Sequence, residues 1–232
     1  VRRLIARISA LGALAASLFS GAAMAADLTP LEKRWLAGAW PVITHARQAQ
    51  LPLDIVVQPQ DSPGAAPLAL AFIDGRCKLV LSMRGNPEAE AQLARIAPAL
   101  LDAALELMAA HELGHCRRYL DGAWYGTPAG FAAAKAPAGL APDLQEAWLA
   151  MRSTRREEGY GDLVGLAWTR ARHPELYAPL HAWLVAERSA ELIPGSHHDT
   201  LAWLELARDA AVFGDGPMFA TADRLWRRGL GD

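Results

Sequence analysis

Apolar positions along the chain change period twice. Between Leu31 and Gln50, Leu31, Trp35 and Trp40 recur at helical spacing, and Pro41 predicts an interruption of that helix. "LPLDIVVQP" (51–59) then reads as a strand. The stretch 67–86, "PLALAFIDGRCKLVLSMRGN", holds two runs of β-favouring residues on either side of Asp74-Gly75, a dipeptide suited to a tight hairpin turn. From Arg76 to Met83 the residues alternate, which puts Cys77, Leu79, Leu81 and Met83 on one face.

After Asn86-Pro87 the period is helical and stays so. "PEAEAQLARIA" predicts a short helix. Pro98 suits the first position of a longer one running through "ALLDAALELMAAHELGHCRRYL" to Asp121-Gly122. Residues 122–142 are rich in Gly and Pro and predict a loop, long enough to suggest that it lines a cleft. Helical spacing resumes at Asp143 through Leu144, Trp148, Met151, Leu163 and Leu166. Three further helical stretches, near 174–188, 199–213 and 217–230, complete the chain. Strands first and helices after predict an α+β domain over 26–232.

The first 25 residues stand apart from this pattern. Arg2, Arg3 and Arg7 form a basic start, "ISALGALAASLFSGAA" a short apolar run, and Ala23-Met24-Ala25 a small-x-small cleavage site, the organisation of a signal peptide. The run is short and rich in small residues, which favours a cleaved signal over the alternative of an uncleaved anchor. The residues around Arg2-Arg3 do not support a twin-arginine signal. Cleavage would take the formal charge from -2 to -5, 20 basic residues against 25 acidic. The expectation is an exported, mildly acidic protein, placed in a bacterial periplasm. It shows no basic footprint for nucleic acid and no membrane span after cleavage. In an oxidising compartment the two cysteines, Cys77 and Cys116, read either as a disulfide or as two buried thiols.

One stretch of the long helix carries the candidate chemistry. In "LMAAHELGHCRRYLDG", His111 and His115 are four apart and therefore share a helix face, so both imidazoles can reach a single ion. Glu112 projects alongside, placed to take a proton from a water in the ion's open position. A third ligand has two candidates. Asp121, six residues after His115, occupies the third-ligand position of metzincin-type peptidases, but Arg118 stands where those proteins need a glycine to turn the chain back. Its plainer role is turn chemistry beside Gly122. The second candidate is Glu158 in "RREEGYGDLVGLAW", with Asp162 four residues on and on the same face. Glu157 is the alternative register, yet four residues after it comes Gly161 rather than a carboxylate.

HELGH followed 43 residues later by Glu158-x-x-x-Asp162 resembles the gluzincin branch of the zincin metallopeptidases. The resemblance covers these two motifs rather than the whole chain. It implies a zincin-like fold: a small N-terminal antiparallel sheet or hairpin packed on the active-site helix, then a mainly helical C-terminal half. It also implies one zinc ion per chain held by His111, His115 and Glu158, Glu112 as general base, and Asp162 orienting a ligand histidine. Gly159 and Gly161 depart from a good helix, which predicts either a close helix–helix approach or a later helix start. The resemblance further implies a later histidine or tyrosine that stabilises an oxyanion, for which His197 or His198, in "PGSHHDT" before a helix capped by Asp199 or Thr200, is the candidate; the alternative is an exposed polar loop.

The implied activity is an exported zinc peptidase acting on peptide or protein. The strand "CKLVLSM" resembles the zincin edge strand, on which substrate binds as an added strand. A Cys77–Cys116 bridge would tie that strand to the active-site helix. The competing reading is a non-catalytic periplasmic binding or regulatory protein on a zincin fold, which an intact Glu112 disfavours, since a structural site needs no base.

Overall fold

The computed structural model describes residues 27–60, 64–190 and 193–231. The signal-peptide expectation lies outside them. Among the described residues the chain is α+β, with seven α-helices and one three-stranded sheet. The opening helix α1 (Pro30–Gln48) begins in a capping box: Glu32 N–H donates to Thr29 Oγ1, and Thr29 N–H donates to the Glu32 carboxylate. It runs straight through Pro41, contrary to the expected interruption. Burial outweighs the missing backbone bond here: Trp35, Ala39, Val42, Ile43 and Ala46 are all buried along one face of the helix.

Three strands follow, β1 (Leu53–Pro59), β2 (Leu68–Ile73) and β3 (Arg76–Arg84). Asp74 and Gly75, both at positive φ, make the tight turn between β2 and β3. The alternation in β3 holds, with Cys77, Leu79, Leu81 and Met83 buried on one face. Two expectations about the sheet need correction. The sheet is mixed rather than antiparallel, because β1 runs parallel to β3. In addition β3, expected at the edge, is the central strand of the order β1-β3-β2, so β1 and β2 occupy both its hydrogen-bonding sides. Hydropathy alternation reports which face a strand buries but not its place in the sheet.

The helices then build around α3 (Leu101–Leu120), which follows the short α2 (Pro87–Ala94) and a single 3-10 turn at Pro98–Leu100. On one side of α3, Leu105, Leu113 and Cys116 pack with α1 and the sheet. On the other, Ala104 and Leu107 join a second core made with the 31-residue α4 (Pro142–Arg172), α5 (Tyr177–Ser189), α6 (Leu201–Leu206) and α7 (Met218–Arg228). Trp203 and Trp226 are fully buried there. No helix among the described residues is long and apolar enough to cross a membrane.

The ligand helix does not start late. α4 continues through Gly159 and Gly161, and close approach explains both. A Cβ on Gly159 would meet the Trp203 ring at 2.5 Å, and one on Gly161 would meet the His111 ring at 2.7 Å. The cost of glycine in a helix, about 1 kcal/mol relative to alanine, is accepted where α4 must pass against α3. Cys77 and Cys116 are bonded to each other and fully buried, joining β3 to α3 directly after His115.

Candidate metal centre

Helical spacing alone brings His111 and His115 to one face of α3, and α4 delivers Glu158 opposite them. His111 Nε2 and His115 Nε2 lie 2.9 Å apart. Glu158 places Oε2 3.4 Å from the first and Oε1 3.5 Å from the second. A tetrahedron whose corners sit about 2.0–2.2 Å from its centre has edges of about 3.3–3.6 Å. The two distances to Glu158 match it, while the histidine pair at 2.9 Å is closer and has to open by about 0.4 Å to take one small ion with N₂O ligation. At this distance the two buried imidazole nitrogens can share a proton in a hydrogen bond, or turn both lone pairs to one ion. Among the described residues this is the group of three His, Cys, Asp or Glu side chains whose potential ligand atoms converge, all within 4.8 Å of one another.

Asp162 sits one turn beyond Glu158 and is wholly buried. Its Oδ1 accepts from His111 Nδ1 at 2.9 Å and from Arg188 Nη2 at 2.6 Å. Its Oδ2 accepts from Arg188 Nε at 3.0 Å and from the Thr200 hydroxyl at 2.6 Å. A carboxylate so placed makes Nδ1 of His111 a donor, so that when the ring is neutral its Nε2 lone pair is the one that faces His115 and Glu158. Burial alone would raise the Asp162 pKa, but the Arg188 charge and the His111 bond hold it well below the usual carboxylate range. Arg188, which also reaches Glu158 at 3.5 Å, is held above its ordinary value despite burial by these same acids. Burial likewise opposes charge on His111, yet its bonds to Asp162 and Glu158 prevail and raise its pKa. With both histidines beside it, Glu158 is held well down against its own desolvation.

The cluster opens into a cavity of about 470 Å³ between the sheet side and the helical side. Glu112 lines it, and burial raises its pKa above 4.5, the direction that suits a proton acceptor working near neutrality. His198 also lines it, whereas His197 is not among the lining residues. Burial, then the nearby Arg188 charge, lowers His198 to about 4, which leaves it neutral at physiological pH. The edge of β2, through Leu68, Ala69 and Leu70, forms one wall, while Leu107, Met108, Trp183 and Leu184 give it an apolar floor.

Asp121 is not part of this site. It pairs with Arg117 at 2.9 Å on the exposed end of α3. There the chain closes in a Schellman motif, with Gly122 N–H to Tyr119 O, Ala123 N–H to Arg118 O, and Gly122 at φ 63°. Glu157, the alternative register, faces away from the histidines and accepts Arg118 Nε at 2.8 Å and Nη2 at 2.9 Å. Thr200 precedes α6 but makes no side-chain cap, because its hydroxyl goes to Asp162. Arg188 and Thr200 escape a reading of the sequence: "LVAERS" and "HHDTL" carry no local sign that both converge on Asp162.

A comparison of the chain with protein-family models, with characterised proteins and with solved structures finds no match.

Proposed function

We propose that the protein is a zincin-like, single-zinc peptidase of the gluzincin kind, exported to the periplasm, with His111, His115 and Glu158 as the zinc ligands. The convergence of these three side chains at the mouth of a cavity walled by Glu112 carries the reading. When bound, zinc supplies a Lewis acid that polarises a carbonyl and acidifies a water. Glu112 would accept a proton from the attacking water and return it to the leaving amine, a role its raised pKa favours. Asp162, fixed by Arg188 and Thr200, keeps His111 in the ligating tautomer. Of the two candidates His198, neutral and lining the cavity, is the better placed to donate a hydrogen bond to the developing charge on the carbonyl oxygen; His197 lies against His198 with ring centroids 4.0 Å apart.

An extended peptide binds as an added strand, and the strand it joins is β2 rather than β3. β2 is an edge of the sheet and lines the cavity. Glu112→Gln is expected to retain zinc and lose peptide hydrolysis by about 10²-fold or more, the usual worth of a general base. Zinc-loaded wild-type protein with no turnover on a broad peptide library would instead favour a binding or regulatory protein.

A further inference from the structure

The two histidines are not supported alike. His111 donates from its outer nitrogen to Asp162, whereas His115 Nδ1 is buried and has no hydrogen-bond partner among the described residues. Besides the His111 ring at 4.6 Å, the His115 ring meets an indole: Trp124 lies T-shaped to it, with centroids 5.3 Å apart and planes at 87°. Trp124 is itself held. It stacks on Tyr119 at 4.1 Å, and the other neighbour of Tyr119 is Phe72 of β2, stacked at 5.0 Å.

The backbone that carries Trp124 is equally constrained. Residues 123–126 form a turn closed by Gly126 N–H to Ala123 O at 2.9 Å, and Tyr125 occupies its left-handed position at φ 59°. A tyrosine holds that conformation only where its surroundings impose it. Here Tyr125 N–H donates to Glu157 Oε1 at 3.0 Å, on the same carboxylate that Arg118 clasps. The buried Arg118–Glu157 pair thus fastens the turn to α3 and α4 together, and with it the indole.

We propose that Trp124 is a positioning residue for His115, orienting a metal ligand by ring-edge packing where a hydrogen bond to the outer nitrogen would ordinarily do so. The inference rests on the zinc reading of the site. It assigns to the start of the long loop a role in the metal centre, and to Arg118 and Glu157 the role of holding that loop start in place.

The test is zinc affinity by chelator competition, with the visible spectrum of the cobalt(II)-substituted protein as a reporter of ligand geometry. Trp124→Ala and Trp124→Leu are expected to weaken zinc about tenfold, the low end of what losing an outer partner of a ligand costs, and to alter the cobalt spectrum. Trp124→Phe, which keeps a ring edge, is expected to restore most of both. Wild-type affinity and spectrum in the alanine variant, with wild-type protein binding one zinc, overturn this inference alone. Wild-type protein that takes up no zinc overturns the metal reading and this inference with it.

Discussion

His111 and His115 stand one turn apart on the same helix face, and their surroundings differ in kind. The His111 flank is ionic and comes from distant parts of the chain: Asp162, Arg188 and Thr200 on α4, on α5 and just before α6. The His115 flank is aromatic and largely local, with Tyr119 four residues on and Trp124 in the adjoining turn; only Phe72 comes from afar. Buried charges are costly unless every member is present, whereas stacked rings lose their contribution piecemeal. The ionic flank therefore behaves as one unit in which a single deletion is felt throughout, and the aromatic flank as a graded support.

The sharpest way to break that contrast is on the ionic side. Arg188→Met leaves Asp162 buried beside Glu158 with its main counter-charge gone. It is expected to cost the zinc-free protein about 3–5 kcal/mol in chemical denaturation. A loss near zero would mean that the flank is not a charge unit. On the aromatic side, the Cys77–Cys116 bond joins β3 to the residue after His115. Replacing both cysteines with alanine should remove about 2–4 kcal/mol, read from the same denaturation curves. Unchanged stability would show that the bond contributes nothing beyond packing.

A smaller effect is expected where the two helices touch. Gly161→Ala improves helix propensity but sets a methyl group against the His111 ring. Zinc affinity should fall by about tenfold, as on loss of an outer ligand partner; unchanged affinity would show that α4 can retreat from α3 at no cost. Smallest of all is a change remote from both flanks. Arg84 and the Thr29 cap hold the Glu32 carboxyl below its ordinary 4.5, against the opposing effect of burial. Its contribution is complete above that ordinary value and is lost as pH falls through the lower folded one. Glu32→Gln should thus cost about 1 kcal/mol at neutral pH, with the gap to wild type closing in acid and zinc affinity untouched. A gap that persists in acid would assign the loss to packing instead.

The same contrast separates what the sequence makes legible from what it hides. Helical spacing is local physics, so His111 could be put with His115, and Glu158 with Asp162, from their spacing, and β2 with β3 from one turn dipeptide; the link between the two side-chain pairs comes from the resemblance. The hidden features are those that need tertiary information. β1 joins β3 in parallel across a connection, which moves the expected edge strand to the centre. Pro41 stays helical because its neighbours are buried. Arg188 and Thr200 meet Asp162 only after α5 and α6 fold back over α4. Trp124 lay within a loop whose length suggested a cleft, but nothing local tied it to His115.

The most direct measurement is the metal content of the purified protein, by inductively coupled plasma mass spectrometry, alongside Glu158→Ala. One zinc per chain in the wild type, and its loss in a variant that still folds, is the expected result. Wild-type protein that folds and takes up no zinc, or a Glu158→Ala variant that keeps it at full affinity, would contradict His111, His115 and Glu158 as a metal centre.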